Sequence, residues 1–208
     1  MQNIPNKLAK SGSWYFRIAT LIAAAMFFIV LVLIAHTRHL SSAEISIFHF
    51  INGTSINLGK VAVIFMLLGS ALGALMFGIF SIIIKSKKLF YSVLIGSILS
   101  GLVTELLKIL INRPRPSGLI ENVIVRGTGI SDPGFPSGHT ALATFLALVT
   151  APFIPKKYRT FLWLYIFLIA IGRVYMGLHF PTDVLGGFFL GVMIAFAVRI
   201  MISKLFNK

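Results

Sequence analysis

Two histidines and one aspartate are the residues of this chain whose types and spacing suggest catalysis. His179 and Asp183 are four residues apart and flank Pro181, a residue typical of the first turn of a helix. At that spacing the carboxylate can accept a hydrogen bond from the imidazole Nδ1, which leaves Nε2 free to react. Such a pair alone is more often a structural hydrogen bond. With His139 as a second histidine, one ring can attack phosphorus while the other protonates the leaving oxygen.

Three basic residues accompany these histidines and predict a site for an anion. Lys108 lies at the end of the third apolar segment, Arg115 lies near the start of the long connection Asn112–Gly138 that follows, and Arg173 lies inside an apolar run. Guanidinium groups present forked donors that match phosphate oxygens. Taken singly, Lys108 and Arg115 could be residues at helix ends whose side chains snorkel to the membrane–water interface. Arg173 is harder to explain in that way, because a charge within an apolar span is usually functional.

The tetrapeptide Pro136-Ser137-Gly138-His139 supplies two further candidate phosphate ligands. Ser137 is a typical helix cap, and Gly138 allows a ligand to approach the backbone. Free amide groups and the helix dipole at such a start attract anions. By itself the tetrapeptide would fit an ordinary helix start. Because three cations and two histidines accompany this tetrapeptide, Ser137 and Gly138 are candidates for binding phosphate.

The elements that carry these residues are predicted to be membrane helices. Of the 208 residues 57% are hydrophobic, and this share is larger than a single soluble core of this size can bury. We therefore expect lipid to be the solvent for much of the surface, in one domain over residues 1–208. Six apolar segments can be marked, of which only the first two clear the length threshold for a spanning helix on their own. They are Ile18–Ala35, Val61–Ile84, Leu89–Leu107, Thr140–Ile154, Phe161–Leu178 and Val184–Ser203.

The distribution of lysine and arginine supports six spans. If all six segments cross the membrane, twelve of the nineteen basic residues fall on one side and seven on or near the other. Because cytoplasmic loops are enriched in positive charge, both termini are predicted to be cytoplasmic and the histidines to face outside. A cleaved signal peptide is the alternative for the N-terminus, but Ile18–Ala35 is long for a signal core and no clear cleavage site follows. The twelve are Lys7, Lys10, Arg17, Lys85, Lys87, Lys88, Lys156, Lys157, Arg159, Arg199, Lys204 and Lys208.

The predicted fold is all-α, a bundle of six transmembrane helices with one short helix at the membrane surface. That short helix is expected within Ser41–Leu58, between the first two apolar segments. Phe48, Phe50 and Ile51 stand there among polar neighbours, a composition that favours a helix lying on the outer surface.

The three clusters resemble the three-part signature of the type 2 phosphatidic acid phosphatase superfamily, whose membrane members have six spans. The matching parts are Lys108 through Arg115-Pro116, then Pro136-Ser137-Gly138-His139, then Arg173 with His179 and Asp183. The signature covers residues 108–183. One position departs from it, because Gly172 stands where the family usually has serine. That departure puts one hydrogen bond of the phosphate pocket in doubt and leaves the catalytic groups intact.

The resemblance implies a role for each candidate residue. His179 would be the nucleophile that forms a phosphohistidine, oriented by Asp183, and His139 would protonate the leaving oxygen and then activate water. The family needs no metal, which suits a chain with only five acidic residues, and no cofactor is expected. Glu105, one helical turn before Lys108, is expected to orient that lysine. The phosphate would be held by Lys108, Arg115, Ser137, Gly138 and Arg173.

The resemblance also implies a lipid phosphate as substrate, hydrolysed in a bacterial cell membrane. Compact bacterial members of the family act on undecaprenyl diphosphate, phosphatidylglycerophosphate or phosphatidic acid. A lipid A phosphatase or phosphotransferase would keep the same residues. A transporter or scaffold with a degenerate pocket is the alternative from another class, but it would have no reason to keep both histidines with Asp183.

Nucleic-acid binding is not expected despite the net charge of +14. The basic residues form small groups between long apolar runs and not one basic stripe. The chain also has no cysteine, which excludes disulfides and thiolate metal sites.

Overall fold

The structure, a computed structural model, describes residues 4–55, 59–126 and 132–206. Within these ranges the regular elements are eight α-helices and three short 3-10 turns, without a strand, which confirms the all-α prediction. The helices are α1 (Ile4–Thr37), α2 (Ser42–Asn52), α3 (Gly59–Leu68), α4 (Ala71–Ile83), α5 (Lys87–Ile111), α6 (Gly138–Thr150), α7 (Arg159–Tyr175) and α8 (Pro181–Phe206).

Four of the helices in the described ranges can cross a membrane. Helices α1, α5, α7 and α8 are long and apolar enough to span the hydrocarbon core, whereas α4 and α6 are apolar but shorter. A chain with several such helices is a multi-pass membrane protein, as the sequence predicts. The count of six spans and the position of α2 at the membrane surface remain predictions.

The second apolar segment, Val61–Ile84, differs from the single helix expected there. The chain bends at Gly69 and Ser70, so that α3 and α4 are separate helices and the side chain of Ser70 caps α4. A Cβ atom at Gly73 would lie 1.8 Å from the carbonyl oxygen of Leu68, so glycine is required for this close turn. Hydropathy does not reveal the bend, because the segment contains neither charge nor proline.

Helix α6 packs against α5, α7 and α8, and glycines of α8 allow the closest approach. A Cβ atom at Gly187 would lie 2.3 Å from the carbonyl oxygen of Ser137, and one at Gly191 would lie 2.4 Å from that of Ala141. Contacts of this kind between small residues let membrane helices pack backbone to backbone. Because His139 lies in the first turn of α6, this packing sets its position relative to α8.

Helix α2 has one face packed on the rest of the bundle. Ser41 caps it by accepting a hydrogen bond from the backbone N–H of Glu44 at 3.1 Å. Phe48 is fully buried, and its ring centre lies 5.5 Å from that of Phe180. Because Phe180 immediately precedes α8, this contact brings Glu44 to the start of that helix.

The connection from α5 to α6 is fastened to α2 and α7 by polar contacts. The side-chain amide of Asn52 donates to the carbonyl oxygens of Ile124 and Tyr175 at 2.8 and 2.9 Å. The guanidinium of Arg126 donates to the carbonyl oxygens of Asn52 and Tyr175, each at 2.7 Å. The connection is therefore held against the end of α7 that carries Arg173.

Candidate active site

The eight residues that the sequence predicts for the site come from neighbouring ends of four helices. Lys108 lies in the last turn of α5 and Arg173 in the last turn of α7, while Asp183 lies in the first turn of α8. The other five precede or begin a helix or lie in a connection: Arg115, Ser137, Gly138, His139 and His179.

His179 is almost completely buried, and its two ring nitrogens have different neighbours. Nδ1 lies 2.8 Å from the carbonyl oxygen of Gly134, while the nearer carboxylate oxygen of Asp183 is 3.7 Å away. Because a carbonyl only accepts hydrogen bonds, Nδ1 carries the proton and Nε2 has a free lone pair. The sequence pairs Nδ1 with Asp183; the structure gives that hydrogen bond to the Gly134 backbone and leaves the tautomer as expected.

The free nitrogen of His179 faces two arginines. Nε2 lies 3.3 Å from Nη2 of Arg173 and 3.5 Å from Nη1 of Arg115. Burial, with a smaller effect of the Arg173 charge, lowers the pKa of His179 to about 4, although the negative charge of Asp183 acts in the opposite direction. The ring is therefore neutral at pH 7, the form in which Nε2 is a nucleophile.

Asp183 is fully buried and is held by groups other than the histidine. Its Oδ1 accepts a hydrogen bond from Nη1 of Arg113 at 2.6 Å, and its Oδ2 accepts from the backbone N–H of Phe180 at 2.8 Å. The other guanidinium nitrogen of Arg113 lies 3.4 Å from both carboxylate oxygens of Glu44. Arg113 has no exposed surface, so it forms a buried bridge between two carboxylates.

Sequence reasoning did not identify Arg113 or Glu44 as part of the site. Both are far in sequence from Asp183, and an ion pair across 69 or 70 residues has no local pattern. A usable signal exists in the repeat Arg113-Pro114-Arg115-Pro116, where the first arginine is as well placed as the second to face the site. A second signal is that Glu44 is one of only five acidic residues.

Lys108 and Arg115 share one carboxylate, that of Asp132. Nζ of Lys108 lies 2.5 Å from Oδ2 of Asp132, and Nη2 of Arg115 lies 2.7 Å from Oδ1. Partial burial raises the pKa of Asp132, but hydrogen bonds from Lys108 and Arg115 outweigh it and lower the pKa to about 2. Lys108 also pairs with Glu105 at 2.9 Å, as the sequence predicts. Two of the three predicted phosphate-binding cations thus already face an ionised carboxylate.

Arg173 has no such partner among the described residues. Its guanidinium makes no ion pair in those ranges, and its buried Nε has no hydrogen-bond partner there. An unpaired buried cation is unfavourable, because burial removes the water that would solvate it. The arrangement is therefore suited to an anion that supplies the missing acceptors beside Nε2 of His179.

His139 lies close to the same charges, with its ring available. Lys108, Arg115, Arg173 and His179 are all near enough to act on it electrostatically. Its imidazole makes no hydrogen bond to any described residue, and it lines a cleft that also contains Thr104 and Glu105. The ring is therefore able to exchange a proton with a bound molecule.

Ser137 and Gly138 occupy the start of α6 as predicted, but with different contacts. Ser137 stands at the cap position without making a side-chain cap hydrogen bond; its Oγ accepts from the hydroxyl of Thr140 at 3.0 Å. Its backbone N–H donates to the carbonyl oxygen of Asp183 at 3.0 Å. A Cβ atom at Gly138 would lie 3.1 Å from the methyl group of Thr104, so glycine lets the two helices approach.

The position that departs from the family signature has free space around it. No atom lies within 4 Å of a Cβ atom built at Gly172. A serine would fit there, so the departure removes a hydroxyl without closing the pocket. In the described ranges, no three His, Asp or Glu side chains converge closely enough to hold a metal ion.

Comparison with known proteins links these residues to one family. A family model described as the PAP2 superfamily matches residues 88–207. Phosphatidylglycerophosphatase B of Bacillus subtilis is 41% identical over 75 residues, which are 31% of this chain and 37% of that protein. Undecaprenyl-diphosphatase of Sulfolobus acidocaldarius is 25% identical over 118 residues, 54% of each chain. The matched segment thus spans about half or less of these curated relatives.

Similarity to a crystal structure extends over more of the chain. The structure is that of a transmembrane PAP2-type phosphatidylglycerolphosphate phosphatase from Bacillus subtilis, with a TM-score of 0.71 and 26% sequence identity. The similarity covers 89% of this chain and 97% of that one. The resemblance in fold therefore extends well beyond the signature, to most of the helices.

Replacing Arg113 is expected to destabilise the protein strongly. Arg113→Met leaves Asp183 and Glu44 buried without their shared cation, and breaking a buried pair in this way costs about 3–5 kcal/mol. The thermal unfolding midpoint of the purified protein should fall well below that of wild type. The double variant Arg113→Met/Glu44→Gln should recover part of the loss, because one unpaired charge is gone.

The matched control is Arg126→Met, which removes an arginine that stacks on Tyr175 and, among the described residues, donates only to backbone carbonyl oxygens. It should lower the midpoint less than Arg113→Met. An Arg113→Met protein as stable as wild type would contradict the bridging role.

Proposed function

The chain belongs to the PAP2 superfamily, and from that membership and the site geometry we propose that it is a phosphatase that removes phosphate from a membrane lipid. The observation that carries the proposal is the convergence of Arg173 and Arg115 on the unprotonated Nε2 of His179. Donors around a nucleophile stabilise the charge that develops on phosphoryl oxygens during transfer. No metal enters the proposed mechanism.

In the first proposed step, Nε2 of His179 attacks phosphorus and the bond from phosphorus to the lipid oxygen breaks. His139 in its protonated, imidazolium form gives a proton to that oxygen and becomes neutral, so the lipid leaves as an alcohol or a monophosphate. Lys108, Arg115 and Arg173, with Ser137 and Gly138, hold the phosphoryl oxygens. The imidazole becomes positively charged when it is phosphorylated, and the Asp183 carboxylate, 3.7 Å from Nδ1, stabilises that charge.

In the second proposed step, His139 takes a proton from water as the water attacks phosphorus. The bond between phosphorus and Nε2 breaks, inorganic phosphate leaves, and His179 returns to its neutral form. Nδ1 keeps its proton throughout, because it donates to the carbonyl oxygen of Gly134 at 2.8 Å. The same backbone contact therefore orients the ring in both steps.

A membrane-side cleft supports a lipid as the substrate. A cavity of about 480 Å³ runs between α4, α5 and α6 from His139 to Ile98, with Gly69, Ala74 and Gly101 among its lining residues. Its walls are mostly apolar, and the side chain of Ile98 is exposed on the surface where lipid is expected. The bend at Gly69 contributes to the end of the cleft nearest His139. A tail lying in this cleft would present its phosphate to the histidines.

A second cleft continues the first along the same helices. It has a volume of about 260 Å³, shares Ala74 and Ile98 with the first, and extends to Phe90 and Ile82. We propose that long tails occupy both. The relatives named above suggest phosphatidylglycerophosphate and undecaprenyl diphosphate as candidates, with phosphatidic acid as a third.

The orientation that we propose has both termini in the cytoplasm and the histidines at the outer face. It rests on the twelve basic residues that six spans would gather on the side opposite the site. In a bacterium this arrangement would expose the active site to exported lipids at the cell membrane.

Loss of the nucleophile tests the reaction. Purified protein in detergent should release inorganic phosphate from phosphatidylglycerophosphate or undecaprenyl diphosphate in the presence of EDTA. His179→Ala should lower the rate by several orders of magnitude, as loss of a nucleophile does. His39→Ala, which removes an exposed histidine before α2, should keep wild-type activity. Full activity of His179→Ala would overturn the mechanism, and complete inhibition by EDTA would contradict its independence of metal.

The proposed tail cleft gives a prediction that separates lipid from soluble substrates. Neither Gly101 nor Gly78 has any atom within 4 Å of an added Cβ, so a leucine at either position projects into a cleft. Gly101→Leu should raise KM for long-tailed lipid phosphates about tenfold, equivalent to about 1.4 kcal/mol of lost binding. Hydrolysis of a short, water-soluble phosphate monoester should not change.

Gly78→Leu is the matched control, because it fills only the more distant cleft. It should raise KM for undecaprenyl diphosphate and leave lipids with shorter tails unaffected. If Gly101→Leu slowed the soluble ester as much as the lipid, or left both unchanged, the proposed tail site would be wrong.

A further inference from the structure

A second basic cluster lies at the other end of the bundle from the two histidines. Arg17 of α1, Lys88 of α5 and Arg199 of α8 line one cavity of about 370 Å³, together with the turn that follows α6. Lys88 precedes Lys108 on α5 by twenty residues, which at 1.5 Å per residue separates the two ends by about 30 Å. The cavity is therefore distinct from the candidate active site.

The positive charge of this cavity has no acidic partner among the described residues. The five acidic residues of the chain are Glu44, Glu105, Glu121, Asp132 and Asp183. They lie in α2, near the end of α5, in the connection to α6 and at the start of α8, all toward the histidine end. Every ion pair in the described ranges is accordingly at that end.

Arg199 is held in the cavity wall by its own contacts. Its guanidinium donates a hydrogen bond to the carbonyl oxygen of Leu148 and lies 5.7 Å from the ring centre of Phe196. Arg17 and Arg159 are close enough to repel it electrostatically. Like charges gathered around a partly enclosed space are unfavourable unless an anion lies between them.

We propose that this cavity binds a phosphate group, carried by an anionic phospholipid headgroup or present as free phosphate. Its volume lies within the range of about 300–1,000 Å³ that is typical of small-molecule sites. Arginine provides forked donors for phosphate oxygens, and lysine adds a point charge. Basic pockets between membrane helices are suited to lipid headgroups. The described residues that line the cavity include no histidine, so we propose a bound ligand there and not a second substrate.

Apolar residues in the same cavity are suited to the lipid part of such a ligand. Val149, Phe153 and Ile202 line it beside the basic groups. A phosphate bound there would join α1, α5 and α8 through a single anion. Because a ligand that binds only the folded protein stabilises it, occupancy should raise the thermal unfolding midpoint.

The test measures that midpoint for the purified full chain in non-ionic detergent. Phosphatidylglycerol, phosphatidylcholine or inorganic phosphate is added in separate arms. Arg17→Gln/Lys88→Gln removes two charges from the cavity, keeps the hydrogen bond of Arg199 and affects side chains without a hydrogen bond or ion pair to any described residue. Lys156→Gln/Lys157→Gln is the matched control, since it removes two charges from the same end outside the cavity.

Phosphatidylglycerol should raise the midpoint of wild type more than phosphatidylcholine does. The cavity variant should lose about half or more of that shift, and the control variant should keep it. If inorganic phosphate, and not phosphatidylglycerol, gave a shift that the cavity variant loses and the control variant keeps, the ligand would be free phosphate. Because inorganic phosphate can also bind at the histidines, only the difference between the cavity variant and the control is interpreted.

Equal shifts in the cavity and control variants, or no shift with either anion, would overturn the proposal. If the double variant does not fold, Lys88→Gln alone decides between these outcomes, because the Lys88 side chain is exposed and has no hydrogen bond or ion pair to any described residue. Phosphatidylglycerol is a phosphodiester, so the result does not depend on whether the protein is a phosphatase.

Discussion

The ion pair between Arg113 and Asp183 is the interaction on which the arrangement of the site depends. Its two side chains are completely buried and lie 2.6 Å apart. The backbone of Arg113 adds a second link, because its carbonyl oxygen accepts a hydrogen bond from the N–H of Gly134 at 2.7 Å. The carbonyl oxygen of Gly134 in turn accepts a hydrogen bond from Nδ1 of His179. Arg113, a single residue that follows α5, thus fixes both the carboxylate and the carbonyl group that face the imidazole.

The charges of the site fall into two groups with different environments. Arg113 is buried and makes ion pairs with both Glu44 and Asp183, whereas Arg173 is buried and has no ion pair within the described ranges. Lys108 and Arg115 are intermediate, because the ionised carboxylate of Asp132 lies between them. A phosphate that arrives beside Arg173 therefore competes with Asp132 for the other two cations. In the proposed mechanism the ion-paired Arg113 maintains the structure, and the incompletely paired cations bind the phosphate.

Local spacing was enough to predict which residues meet, but not every contact between them. The turns of α5, α7 and α8 bring Lys108, Arg173 and Asp183 to neighbouring helix ends, in agreement with the helical segments read from hydropathy. The partner of Nδ1 is a backbone carbonyl, which carries no residue type to recognise. The pairing of Glu44 with Arg113 and the bend at Gly69 depend on packing between distant segments, which a single sequence does not encode locally.

In the proposed mechanism His179 receives the phosphoryl group and His139 moves the protons. The most direct test of these roles follows the reaction of a His139→Ala variant with p-nitrophenyl phosphate. The leaving group of this substrate needs no general acid, so the first step does not require His139. The reaction is quenched in alkali. Formation of the intermediate should then be faster than its hydrolysis. We expect a burst of p-nitrophenol equal to the enzyme present, with phosphate found by mass spectrometry on the peptide that contains His179. Phosphate on another residue, or steady release with no covalent intermediate, would contradict it.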